Sequence, residues 1–321
     1  MNTELIIKEI RKFGLICFVF HVGTKLGICD DFSLYKKKIP YYASLSQSAR
    51  ERELSDWYQS VFGVPVNYNS PDTFTQWIQW SKLYDCSPMK TRLADKYLVR
   101  EWVREKIGSK FLVPLLGVWD TPERIPFDEL PNQFVLKANH GCGMTIVVED
   151  KKSIDIVAVK KKLALWLSAP FGWEGMELHY INIPRKIIAE QYIVQGDGDL
   201  CDYKIHCFGG EPRIIQVIGN RTIGKHEGLE SFYNIDWTPH LVSNNAYTTR
   251  NEALPRPEKL DELLFIAKKL SEGFPYVRVD LYLLEDGIKF GEMTFTPTNG
   301  ISKWQDKEFA PYLNQIKAPF F

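Results

Sequence analysis

The chain has no excess charge of either sign: 40 lysines and arginines balance 40 aspartates and glutamates over 321 residues. A nucleic-acid surface demands a basic excess, so no such partner is indicated, and any anionic ligand must be met by local positive groups. Cysteine is sparse. The six residues at 17, 29, 86, 142, 201 and 207 form no C-x-x-C pair and lie in apolar stretches, which argues against zinc or a disulfide framework and fits a reducing cytoplasm. Also absent are G-x-G-x-x-G and G-x-x-x-x-G-K-[ST], so neither a dinucleotide fold nor a P-loop NTPase is supported. No transmembrane segment is expected. The most apolar stretch, Phe13 to Cys29, is broken by His21 and Lys25 and reads as a buried helix or strand, with peripheral contact at the inner face of a membrane as the minority reading.

What is present is a chain long enough for one large or two modest domains. Residues 1–85 are mixed and aromatic-rich, an N-terminal cap region ending in TFTQWIQWSKLYD, which suggests an amphipathic helix packed on a neighbour. Ser87-Pro88 opens a helix expected to run through KTRLADKYLVREWVREKIG to Gly108, and FLVPLLGVW reads as a strand. FVLKA (134–138) and MTIVVE (144–149) form a hairpin around the glycine loop NHGCG. A helix from about Asp155 to Ser168 follows, then strands IIAEQYIV, CDYKIHCF and PRIIQVIG, an amphipathic helix over 258–272, and a last hairpin. Hairpinned strands with interspersed helices indicate an α+β fold rather than a doubly wound parallel sheet.

That last hairpin, YVRVDLYLLEDGIKFGEMTFTP, puts Val277, Val279 and Leu281 on one face and Arg278 and Asp280 on the other. If Leu284 pairs with Ile288 across the turn, Asp280 faces Glu292 and Arg278 faces Thr294. Two carboxylates directly opposed repel unless a cation intervenes. Mg²⁺ is one such cation and Arg278 is another, giving a metal site or a structural ion cluster; on the hairpin alone both readings stand.

Other polar residues interrupt apolar strands. Lys137 precedes a loop in which Gly141 and Gly143 free backbone amides to approach an anion, although a glycine hairpin is also an ordinary structural device. Asp202, Lys204 and His206 share one strand face, as a solvated edge would also arrange them, and Glu190 needs a donor such as an amino group.

Taken in order, Lys96 on a helix, Lys137, Glu190, Asp202, Lys204, Arg278, Asp280 and Glu292 resemble the ATP-grasp superfamily. The runs KLYDCSPMKTRLADKYLVREWV, LPNQFVLKANHGCG, DYKIHCFGGEPRIIQV and FPYVRVDLYLLEDGIKFGEMTF look like its TupA-like branch, associated with teichuronopeptide and other surface-polysaccharide synthesis, over residues 75 to 300. The resemblance implies two α+β lobes gripping ATP within residues 86–321, a lid-bearing lobe over about 110–195 and a metal-binding lobe over about 196–321. It implies that Lys96 and Lys137 hold the α- and β-phosphates, that Gly141, Cys142 and Gly143 form a lid, and that Glu190, Gln191 and Ile193 form the adenine hinge. Asp202 would hold the ribose, Lys204 would reach the γ-phosphate, Asp280 and Glu292 would bind Mg²⁺, and Arg278 would steady the substrate carboxylate. Thr294 stands where most of the superfamily has asparagine, a weaker metal ligand in its place. The implied activity is a carboxylate–amine ligase acting through an acyl phosphate on a uronic acid and an amino acid or amine, in small or carrier-linked form. A kinase would share the ATP site; a glycosyltransferase would need an acidic motif in a Rossmann-like half, which is missing. Substrate contacts are expected in the poorly matched parts, Arg221, Lys225 and His226 in one polar loop and Asn299 and Lys303 after the hairpin.

Overall fold

The computed structural model describes residues 7, 10–25, 30–193, 201–219, 228–240, 248–250 and 252–317. The N-terminal region is helical: α1 (Leu15–Lys25), α2 (Asp31–Ser44), α3 (Gln47–Phe62) and α4 (Phe74–Tyr84). Asp30, Ser46 and Thr73 each accept a first-turn backbone N–H, a cap worth about 1 kcal/mol apiece. α3 stops at left-handed Gly63. The expected amphipathic α4 is instead buried nearly all round, Gln76, Gln79 and Lys82 included. Its apolar side enters a cluster with Phe208, Ile214, Phe232, Tyr276, Trp304 and Phe309. Its polar side is covered as well: Thr75 donates to Asp306, and Gln79 Nε2 donates to the carbonyls of Asn299 at 3.0 Å and Gly300 at 2.9 Å.

One expected helix is two. α5 (Pro88–Ala94) and α6 (Val99–Lys106) are separated because Asp95 turns the chain, accepting the N–H groups of Tyr97 at 2.7 Å and Leu98 at 3.2 Å. Lys96 therefore lies in a turn, not on a helix, and its backbone N–H bonds to Asn139 O at 3.0 Å.

Four antiparallel strands, β1 (Leu115–Trp119), β2 (Phe134–Ala138), β3 (Thr145–Val148) and β4 (Ile187–Gln191), pair in the order β1-β4-β2-β3. Helix α7 (Ile156–Leu167) packs Leu163 and Trp166 on this sheet, against Phe134, Leu136 and Ile187. The larger sheet comprises β5 (Asp202–Phe208), β6 (Glu211–Gly219), β7 (Leu229–Asn234), β8 (Pro239–His240), β9 (Thr248–Thr249), β10 (Tyr276–Leu284) and β11 (Gly287–Thr294). Its order is β11-β10-β5-β6-β7-β8, with β9 parallel to β7. One face, with Ile205, Cys207, Val217, Val277 and Val279, is covered by α8 (Leu260–Ser271) through Leu263, Ala267 and Leu270. The last elements among the described residues are α9 (Lys303–Phe309) and α10 (Leu313–Lys317).

The final hairpin departs from the expected register at its tip and meets it at its base. Leu284 pairs with Gly287, not Ile288, and the offset persists to Leu281 and Phe290. An irregularity at Gly291 then brings Asp280 opposite Glu292 and Arg278 opposite Thr294.

Between β11 and α9, Thr298, Asn299 and Gly300 all have positive φ, at 49°, 59° and 67°. A Cβ on Gly300 would lie 2.6 Å from Ile78 Cγ2 and 2.7 Å from Gln79 Nε2. Gly300→Ala should combine left-handed strain with overpacking and lose about 2–4 kcal/mol. A denaturant titration against wild type measures it; a loss below about 0.5 kcal/mol would mean that the strap between β11 and α9 shifts freely.

Candidate active site

Strand register assembles the first group of charges. β5 pairs antiparallel with β10, setting Lys204 opposite Asp280, Asp202 opposite Tyr282 and His206 opposite Arg278. Arg278 Nε donates to Asp280 Oδ1 at 2.7 Å and its Nη2 to Asp280 Oδ2 at 2.8 Å, while Nη2 also reaches Glu292 Oε1 at 3.3 Å and Thr294 Oγ1 at 3.1 Å. Lys204 Nζ pairs with Asp280 and lies 3.7 Å from Asp202. The repulsion expected between Asp280 and Glu292 is thus met by Arg278, as the ion-cluster reading requires. His206, though on the same strand face, is buried against Tyr276 Oη at 2.7 Å and Gln216 Oε1 at 3.2 Å. Burial, then the charge of Arg278, keep it neutral.

These charges hold one another ionised. Burial opposes the Lys204 ammonium, but Asp280 and Asp202 outweigh it and raise its pKa. Desolvation likewise opposes the Glu292 carboxylate, yet Lys96, Lys204 and Arg278 together bring it down to about 2.

The loop between β2 and β3 faces this group. Lys96 Nζ donates to Gly141 O at 2.6 Å, and the loop's base is closed by Ala138 N to Met144 O at 3.0 Å. Gly143 takes a φ of 71°, open to glycine at no cost. Cys142 is exposed. Desolvation and then the charge of Glu292 raise its thiol pKa, which disfavours the thiolate form.

Glu190 centres a second group. Its two oxygens accept from Arg100 Nη1 at 2.9 Å and Lys137 Nζ at 2.7 Å, so the donor expected of Glu190 includes two protein cations. Arg100 also donates to Val113 O at 2.8 Å. Gln191 is exposed at the end of β4 and Ile193 half-buried just beyond it.

Sequence reasoning missed Arg100, and missed a third group altogether. Glu177 accepts from Thr296, and its charge acts on Lys82, whose Nζ donates to Asn299 O at 2.7 Å. Burial brings the Lys82 ammonium down to about 7 although Glu177 opposes the shift. Asn299 is therefore held in the strap, with its Oδ1 lacking a hydrogen-bond partner among the described residues, whereas Lys303 is exposed at the start of α9. Arg221, Lys225 and His226 lie outside the described residues.

Among the described residues no cluster of three or more His, Cys, Asp or Glu side chains forms a ready-made metal cage. Asp280, Glu292 and Thr294 offer an all-oxygen set of two carboxylates and a hydroxyl. That fits Mg²⁺, which commonly takes one or two carboxylates with the remainder from substrate phosphates and water.

The chain matches the TupA-like ATP-grasp family model over residues 76–316. A search of curated proteins finds no match. Among solved structures, the D-alanine–D-alanine ligase of Bacillus anthracis complexed with ATP is similar at a TM-score of 0.41 and 16% identity, covering 71% of this chain and 66% of that one. The ATP-grasp ligase PsnB, complexed with a phosphomimetic variant of its minimal precursor, Mg and ADP, gives 0.41 and 14%, with 77% and 66% covered. The D-alanine–D-alanine ligase of Helicobacter pylori gives 0.38 and 16%, with 71% and 58% covered. The chain thus spans 58–66% of the length of these structures.

The Glu292 carboxyl sits below its ordinary value of 4.5 in the folded chain. The stability it contributes is present in full above that value and is lost as the pH falls toward 2. Glu292→Gln should therefore lower the melting temperature of metal-free protein at neutral pH and flatten the acid limb of the melting curve between pH 4.5 and 2. A variant more stable than wild type at neutral pH would show that carboxylate repulsion outweighs the Arg278 contacts.

Proposed function

The chain belongs to the TupA-like ATP-grasp family, and from that premise we propose that it is an ATP- and Mg²⁺-dependent carboxylate–amine ligase. It would join a uronic acid to an amino acid or amine through an acyl phosphate, in the synthesis of capsular or other surface polysaccharide at the cytoplasmic face. The observation that carries the reading is the set Lys96, Lys204, Arg278, Asp280 and Glu292, whose charges act on one another beside the Gly141–Gly143 loop.

This set suits phosphoryl transfer, in which positioning and charge neutralisation account for most of catalysis. Lys96 and Lys137 bind the α- and β-phosphates under the loop Gly141-Cys142-Gly143. Glu190, Gln191 and Ile193 border the adenine, and Asp202 takes the ribose hydroxyls. Asp280 and Glu292, with Thr294, would hold Mg²⁺, which would supply neutralising charge to the phosphates. Arg278, which donates to both carboxylates, would steady the substrate carboxylate. That carboxylate attacks the γ-phosphorus, ADP leaves, and Lys204 stabilises the transferring oxygens. The amine, having given its ammonium proton to water, then attacks the acyl carbon; the C–N bond forms, the C–O bond to phosphate breaks, phosphate departs, and the nitrogen loses its extra proton to water. No protein nucleophile is needed, consistent with the raised thiol of Cys142.

A product assay tests the reading: ADP should accumulate only when ATP, a uronic acid and an amine are all present. ADP released with a hydroxyl acceptor and no amide formed would make the protein a kinase instead. Lys137→Ala should weaken ATP binding by about 10–100-fold, the worth of one charge-assisted hydrogen bond, while Arg100 remains to pair Glu190. Calorimetry with ATP checks it, and unchanged affinity would remove Lys137 from the phosphate site.

A further inference from the structure

A cavity of about 1340 Å³ lies between the N-terminal helices and the segment 171–177, with Glu177 and Asn299 in its wall. Drug-sized ligands occupy about 300–1,000 Å³, so a sugar or a short chain fits. Its lining carries four carboxylates, Glu53, Asp56, Glu174 and Glu177, and two cations, Arg11 and Lys12, while Lys82 behind the wall answers Glu177. Lys12 is already engaged, paired with Glu53, and its ammonium lies 5.3 Å from the centroid of Tyr41 and 5.9 Å from that of Tyr42. The aromatic wall thus already accommodates one ammonium, as cation–π attraction favours. Glu174 is paired with Lys38, whereas Asp56 is exposed and has no ion-pair partner among the described residues.

Two observations connect the cavity to the charged site. Glu177 is bound by Thr296, two residues beyond Thr294 on the chain leaving β11. Asn299, whose Oδ1 has no hydrogen-bond partner among the described residues, belongs to the same wall.

We propose that this cavity binds the amine-bearing partner of the ligation, a primary ammonium carried on an amino sugar or an amino acid. The assignment rests on the ligase reading and names the half of the reaction that the N-terminal helices serve. The Asp56 carboxylate beside an aromatic wall attracts an ammonium, and the carboxylate partner is left to Arg278.

The test measures binding without ATP, by saturation-transfer NMR with D-glucosamine, L-alanine and D-glucuronate as probes. Transfer to glucosamine or to alanine, exceeding that to glucuronate, supports the proposal, and which of the two responds identifies the source of the amine. Asp56→Asn should weaken that binding about fivefold, the reach of a single exposed charge, and Asp56→Lys should abolish it, both with unchanged melting temperature and ATP affinity. Transfer to neither amine, preference for glucuronate, or binding indifferent to both variants overturns it. Because ADP is not read, a protein that binds the amine yet releases no ADP in the product assay keeps the cavity and loses the ligase reading.

Discussion

The Arg278 guanidinium, with a tenth of its side chain exposed, donates to Asp280, Glu292 and Thr294 at once. Removing one partner from a buried pair costs about 3–5 kcal/mol, far more than the pair contributes against an apolar replacement. The surrounding strands must therefore deliver every partner together, and the sheet register is what delivers them. Lys204 arrives from β5 and the carboxylates from β10 and β11. The opposite face of the same strands is occupied by Val277, Val279, Ile205 and their neighbours under α8, so a slip of one residue would bury charges in that core and expose valines. The charged cluster and the apolar core thus draw on the same register.

Gly291 shows how narrow that requirement is. The tight turn pairs Leu284 with Gly287, and if that offset continued Asp280 would face Gly291 while Glu292 pointed away. The extra residue at Gly291 restores the pairing, and its backbone lies so near β10 that a Cβ there would stand 3.0 Å from Asp280 O. Period-two alternation in the sequence suffices to put Arg278 with Asp280 and to pair them with Thr294 and Glu292. It does so through an assumed turn one residue longer than the real one and an unforeseen bulge, two departures that cancel at the site and nowhere nearer the tip. Alternation reports which face a residue takes, whereas bulges depend on backbone fit that few sequence patterns encode.

Other parts were legible to different degrees for similar reasons. Glycine and strand patterns mark the β2–β3 loop, and α7 and α8 fall within a residue or two of the expected spans because their apolar spacing is regular. The break at Asp95 was hidden because apolar residues continue at helical spacing through it; only the side-chain capping of Tyr97 and Leu98 distinguishes the turn. Arg100 and Glu190 are separated by 90 residues and Lys82 and Asn299 by 217. No local period announces such partners. The helices α2 and α3 carry weak apolar stripes, so their packing too was decided by distant neighbours rather than by their own pattern.

The strap at 297–300 explains why α4 carries Gln79 and Lys82 in a buried helix. Left-handed backbone at Thr298 and Asn299 turns carbonyls away from any ladder, and buried carbonyls without donors are costly. Gln79 and Lys82 supply those donors, at 2.7–3.0 Å to Asn299 O and Gly300 O. Lys82 loses much of its affinity for a proton to desolvation, and Glu177 restores part of it. The same Glu177 is fixed by Thr296, so α4, the strap and the 171–177 segment share one polar network adjoining the end of β11. A helix from the N-terminal region thereby sets the position of the chain leaving Glu292 and Thr294, so a displacement of α4 reaches the charged face through hydrogen bonds rather than through the apolar core.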